Sequence, residues 1–322
     1  MQSQQLNTSR MTVKKFLDHY SIMLIALFMI LVATLLQGAT FLSVPNFINI
    51  IRNNSTVGII AFGISLVIIT GNIDLSVGAQ MVLVASLSIE VVNSTGSALL
   101  GVITAFASSC TLSLITGLIV TKGRVPSFIV TLGLQYIYRA VLIYALNGAG
   151  ITTMNENYKL ISSYSLFGWL PLQIVYFFMM AAIFYFISKH TVLGRHIYAV
   201  GSNEKATRLS GIKTDRIKII AYLLLGAAIA VAAIAESSRM GSINSTSSGT
   251  SYELNAIAMA VIGGVAMEGG KGKLTNTMFG AFIFGLINNI LTLVGVNTRL
   301  VNAFKGAIII IAVLLQRKSR ER

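Results

Sequence analysis

Apolar residues run in ten stretches, at 21–36, 57–70, 77–92, 98–120, 128–146, 172–187, 219–235, 254–267, 277–296 and 301–315, with polar or glycine-rich breaks between them. A helix crosses the hydrocarbon of a bilayer with roughly 20 apolar residues. The pattern therefore predicts an all-α, polytopic transmembrane bundle of about ten spans. Several stretches hold only 14 to 16 residues, so one or two are expected to be re-entrant or half-helices, buried in protein or lining a cavity. The domain plan is a cytoplasmic segment 1–20, one membrane domain 21–316 with a large inside segment 188–218, and a basic tail 317–322. Lys14 and Lys15 before the first stretch resemble a signal peptide, but only Gln37-Gly38-Ala39 follows as a cleavage site, which favours an uncleaved first span.

Composition agrees: 55% of the 322 residues are hydrophobic and 11% charged, which leaves little chain for a globular catalytic domain. The net charge of +14 could suggest nucleic acid. Its distribution argues otherwise. With both termini inside, eighteen basic residues from Arg10 to Arg322 fall in inside segments, while Arg52, Lys159, Arg239 and Arg299 fall outside and Arg139 and Lys305 lie within spans. That is the positive-inside bias of a membrane protein, and nucleic acid is not an expected partner. One cysteine, Cys110, and three histidines give neither a disulfide nor a metal-ligand cluster.

Four polar insertions stand out. Gly71 to Gly78 places Asn72, Asp74 and Ser76 between two apolar runs. Asp74 reads either as a cap accepting from the free amides of the next helix or as part of a re-entrant element on the solute path. Gly201 to Gly211 reads as a short capped helix, with Ser202 or Asn203 as N-cap, Glu204 in the first turn and Gly211 as the stop; it is either a docking element or a solvated loop. Arg208 at its end suits a carboxylate on a partner. Gly269 to Thr275 fails the phosphate-loop pattern, because Met267 stands where the first glycine is needed and Leu274 follows the lysine, and so reads as a tight turn. Asn288 and Asn289, in mid-span, line a polar path or bond between helices. Ala256, Ala260 and Gly264 form a small-residue ladder. Of the ionisable groups in or beside spans, Glu90, Arg139, Glu236 and Lys305, none has an opposite charge within four residues on the same span as drawn, so pairs across helices are expected. Nothing supports an enzyme.

Three of these segments resemble the permease subunits of ribose-, galactoside- and xylose-type ATP-binding-cassette importers. Residues 71–78 are similar to the family's Gly-Gly-Ile-Asp-Leu-Ser-Val-Gly; Gly201, Asn203, Ala206, Ser210, Gly211 and Ile212 match its cytoplasmic pattern; and Tyr252 to Ala258, Val261 to Gly264, Gly269 to Gly272, Asn288-Asn289 and Lys305-Gly306 match its C-terminal one. Asn72 replaces a glycine, which questions the bend there, and Met267-Glu268 is bulkier than usual. The resemblance implies a subunit of the bacterial cytoplasmic (inner) membrane that holds no cofactor and hydrolyses nothing. Its implied partners are a second permease copy or homologue, two cytoplasmic ATPase domains that bind ATP, and an extracytoplasmic sugar-binding protein. It further implies that the element Gly201 to Gly211, with Gly201, Asn203, Glu204, Arg208, Ser210 and Gly211, couples to the ATPase; the residues themselves make Asn72, Asp74, Ser76, Asn288 and Asn289 candidates for the translocation pathway or a re-entrant element. The alternatives are another small polar solute, such as an autoinducer, a nucleoside or a branched-chain amino acid, or an ion-coupled carrier using Asp74, Glu90 or Glu236.

Overall fold

The computed structural model describes residues 13–297 and seven positions between 300 and 310. Residues 1–12, the tail 317–322, Lys305 and the tenth stretch as a span lie outside the described residues. In chain order the helices are α1 (Val13–Gln37), α2 (Val44–Ile69), α3 (Val77–Thr95), α4 (Ala98–Lys122), α5 (Ser127–Ala145), α6 (Glu156–Ser163), α7 (Leu172–His190), α8 (Val192–Ser202), α9 (Glu204–Leu209), α10 (Thr214–Met240), α11 (Tyr252–Ile262) and α12 (Leu274–Leu293). Two small antiparallel ribbons complete the described chain: β1 (Gly150–Thr152) with β4 (Ser242–Asn244), and β2 (Ser165–Leu166) with β3 (Leu170–Pro171).

Seven helices, α2, α3, α4, α5, α7, α10 and α12, are long and apolar enough to cross a membrane. The protein is a multi-pass helical bundle. Burial ranks them: 78% of the apolar window of α2 lies inside, against 22% for α4 and α5, so α2 is the axis and α4 and α5 face outward. α2 and α10 pack closely where Gly63 meets Leu225 and Ala228, the small-residue approach that membrane helices use.

The described loops sort to two ends. Near one lie 70–76, 121–127, 188–213 and 263–273, with Lys122, Arg124, Lys189, Arg195, Lys205, Arg208, Lys213, Lys271 and Lys273; we refer to it as the basic end. At the opposite end Asn93 Nδ2 donates to the Thr152 carbonyl (2.8 Å) and Asn155 Nδ2 to that of Gly96 (2.8 Å), beside the β1–β4 ribbon.

Three sequence expectations change. The stretch 57–70 is the second half of a 26-residue helix that begins with Pro45 in its first turn, so Arg52 sits inside α2 and not in an outside loop. The stretch 254–267 is a half-helix of 11 residues, and Gly264 lies past its end with a left-handed φ of +82°, which removes it from the alanine ladder. α10 runs on to Met240 and brings Glu236 within 3.7 Å of Arg239, one turn later, an intrahelical pair where only cross-helix pairs were expected. Glu236 also accepts from Thr56 Oγ1 (2.8 Å) and Tyr252 Oη (3.1 Å).

The early start of α2 has a physical reason on α12. Asn46 and Asn289 exchange two amide hydrogen bonds (3.2 and 2.7 Å), and Asn288 Nδ2 donates to Asn54 Oδ1 (3.2 Å). Polar side chains that would interrupt a lone span find partners across the helix pair, with the Asn288 carbonyl oxygen left buried and unbonded. A double-mutant cycle of Asn46→Ala and Asn289→Ala should give a coupling of about 1 kcal/mol, read from unfolding in detergent; strictly additive losses would show that the amide pair holds nothing.

Candidate functional site

At the basic end three glycine-bearing segments close on one atom. The Ile69 carbonyl, left free at the end of α2, accepts from the Gly270 amide (2.8 Å). Gly201, in the last turn of α8, lies so close that a Cβ there would fall on the same carbonyl, and a Cβ on Gly269 would come within 3.0 Å of the Gly71 backbone. Gly71, Gly269 and Gly270 have φ of +81°, +88° and +70°, which only glycine adopts without cost. Tyr198 Oη donates to the Gly272 carbonyl (2.9 Å), and Ser202 Oγ to that of Gly270 (3.4 Å). The three motif segments read separately in the sequence thus form a single junction.

From this junction the chain 70–76 turns back into the bundle. Asn72 keeps an ordinary backbone, so its replacement of a glycine costs no strain, and its amide donates to Thr70 Oγ1 (3.0 Å). Asp74 is fully buried. Its role differs from the expected cap: Oδ1 accepts from the amide (2.8 Å) and hydroxyl (2.6 Å) of Ser76, folding the chain two residues before the helix instead of bonding the amides inside it. The reason is register, since Ser76 and not Asp74 immediately precedes α3. The Ile73 amide donates to Ser127 Oγ (3.1 Å), which ties this segment to α5.

On the outer side of the junction, Asn203 ends α8 and caps α9, its Oδ1 accepting from the Ala206 amide (2.9 Å). Ser210 closes the helix and Gly211, at φ +84°, turns the chain away. Arg208 already holds partners within the chain. Its Nη2 donates to Glu204 Oε1 (3.2 Å), Thr214 Oγ1 (3.0 Å) and Asp215 Oδ1 (3.3 Å), because α10 begins alongside α9. Lys218 Nζ reaches Glu204 Oε2 (2.7 Å) and Lys122 approaches Asp215 (3.8 Å). Glu204, Arg208, Asp215 and Lys218 rim a cavity of about 670 Å³ that Asn72, Arg124, Ser127 and Lys205 also line. α9 leaves an apolar side chain open at Leu209, 89% exposed.

Asn288 and Asn289 are not brought to this site; both amides are engaged with α2. Sequence reasoning did not single out the hydroxyl-rich run 245–251, although its four serines and two threonines directly precede an apolar stretch.

A bundle of spanning helices whose basic end carries a tethered polar helix defines a multi-pass membrane protein. Residues 46–313 match the family described as branched-chain amino acid transport system / permease component, and the chain belongs to it. It is 39% identical to the ribose import permease protein RbsC of Escherichia coli (strain K12) over 308 residues, covering 92% of this chain and 93% of the relative. It is 36% identical to the protein of the same name in Bacillus subtilis (strain 168), over 91% of each chain. Identity to the galactose/methyl galactoside import permease protein MglC of Escherichia coli (strain K12) is 32%, over 90% and 92%. No solved structure matches the chain. It is a multi-pass permease component of the inner membrane.

Burial works to raise the pKa of Glu204, but the hydrogen bond and charge of Lys218, with Thr214 and Arg208, outweigh it and hold the carboxyl below its usual 4.5. A lowered acid stabilises the fold above the unfolded value and loses that contribution as pH falls through the folded one. The melting temperature in detergent should therefore drop more between about pH 5 and 3 in the parent than in Glu204→Gln. Equal drops would show that Glu204 does not hold α9.

Proposed function

We propose that the chain is the permease subunit of an ATP-binding-cassette importer that carries a small sugar delivered by an extracytoplasmic binding protein. The basic end, with both termini, is cytoplasmic, as the placement of lysine and arginine favours. Membrane-impermeant amine labelling of intact cells should then reach Lys159 on α6 and not Lys205 on α9; the opposite pattern would invert the orientation.

One observation carries the reading: α9 is welded by Glu204, Arg208, Asp215 and Lys218 to the start of α10, and through α8 and Gly201 to the end of α2, the axis of the bundle. A push on α9 is thereby a push on two core helices. ATP is bound and hydrolysed by the partner ATPase domains, and their closure acts on this element, so that a pair of permeases opens alternately to either side. The coupling energy is the difference in contact between the two states. Ribose is the first solute to test, given the names of the relatives.

The contact with the ATPase is made by the exposed side of α9, above all by Leu209, and not by Arg208. Leu209→Ser should lower retention of the partner ATPase about tenfold, in line with roughly 1.5–3 kcal/mol for one buried leucine, and reduce ATP-dependent ribose uptake into vesicles that hold the binding protein. Parental retention and uptake by that variant would remove α9 from the contact.

A further inference from the structure

The loop from β4 to α11 enters the membrane, and what it exposes there is polar. α11 has 11 residues, about 16 Å of helix, and its last turn lies against the first of α12, where Gly263 meets Asn276 and Thr277. Its start is therefore near the middle of the roughly 30 Å hydrocarbon layer. The first turn of α3 gives the same depth: Gln80 Nε2 donates to Ser113 Oγ (2.9 Å), nine residues or about 14 Å before the end of α4. There the two helices, running in opposite directions, meet amino end to amino end, and a side chain at Gly78 would strike the Gly249 carbonyl and the Glu253 carboxylate.

Two residues of α5 hold the descending loop. Arg139 Nη1 donates to the Ser245 and Ser248 carbonyls (2.9 Å each), and Gln135 Nε2 to Glu253 Oε1 (3.3 Å). Within the loop, Thr246 and Ser247 donate their hydroxyls to Asn244 Oδ1 (2.8 and 3.0 Å), and Thr250 donates to the Ser247 carbonyl (2.9 Å). Their protons are engaged, while their oxygens can still accept. Asn244, Thr246, Ser247 and Thr250 are all exposed. The Ser245 hydroxyl beneath them is fully buried without a hydrogen-bond partner in the protein. The loop starts level with the end of α5, where the Ser245 amide donates to the Ala149 carbonyl (3.2 Å), and reaches the middle of the layer at Gly249, beside Gly78; irregular, polar backbone at its inner end cannot face lipid and persists only against protein or a water-filled cavity.

We propose that loop 244–251 forms a wall of the solute path, and that the accepting oxygens of Thr246, Ser247 and Thr250, with the amide of Gln135, take hydroxyl groups of a passing polyol. Arg139 and Glu253 are positioning residues that hold the loop. The sugar class rests on the function proposed above; the wetness of the loop does not.

The test removes the sole cysteine by Cys110→Ser and introduces Thr246→Cys, Ser247→Cys or Thr250→Cys singly. In intact cells a membrane-impermeant cationic methanethiosulfonate should modify each at a rate within about tenfold of Tyr164→Cys in the opposite-end loop, and at least about tenfold faster than lipid-facing Ile115→Cys on α4. Rates equal to Ile115→Cys at all three positions would overturn the proposal. In proteoliposomes with the ATPase and binding protein, Thr250→Val and Gln135→Leu, purified to the parental melting temperature, should each lower ribose uptake about fivefold, the worth of one hydrogen bond. Parental uptake by both would also overturn the assignment of these groups to the solute. A parent that carries no ribose defeats the sugar reading instead, and the labelling rates still decide whether the loop is a wall of the path.

Discussion

A helix that ends inside a membrane protein must hand its last carbonyls to some donor, since water is not at hand to take them. For α2 the donor to Ile69 is a backbone amide from a turn two hundred residues later, at Gly270, and the last turn of α8 closes over the same spot at Gly201. This one contact requires that three backbones meet without side chains. It accounts for glycine at 71, 201, 269 and 270 together, and it fixes the segment before α3, the tethered helix α9 and the start of α12 relative to each other. Loss of the approach would free a carbonyl and separate all three.

What is held this way also explains why the polar groups of the basic end are spent internally. Glu204, Arg208, Asp215 and Lys218 bond one another across the α9–α10 corner. Individually such exposed pairs contribute little; as a network around a six-residue helix that is too short to persist alone, they set its orientation. A rigid lever needs this, because a helix free to swivel would absorb displacement instead of passing it to α2 and α10. The surface left for a partner then includes the exposed Leu209 beside Lys205, Ala206 and Arg208.

Much of this was legible in the sequence. Seven of the ten apolar stretches coincide with described helices at their apolar cores, and the Asn203 cap and Gly211 stop of α9 follow from local chemistry. The start of α2 was hidden because Asn46, Arg52 and Asn54 break its hydropathy, and the partners of Asn46 and Asn54, Asn289 and Asn288, lie over two hundred residues away. The Glu236–Arg239 pair was hidden by ending α10 with its apolar run at Ala235, when the helix continues for five residues. The internal partners of Arg208 were hidden because a charge on a short polar helix looks free until the neighbouring helix start is placed beside it. Each error has one source: hydropathy ranks residues singly, whereas a membrane interior tolerates polar groups in pairs.

The same pairing logic separates the polar groups that hold the bundle from those that are available. Asn46, Asn288 and Asn289 are bonded across helices, Glu236 has Thr56, Tyr252 and Arg239, and Asp74 has Ser76. An ion-coupled carrier built on Glu236 would have to break three contacts at each cycle, which weighs against that alternative. At the inner end of the loop between β4 and α11 the Thr250 oxygen remains exposed and free to accept, and it is there, between two helix amino ends, that a neutral polar solute finds a partner without dismantling the fold.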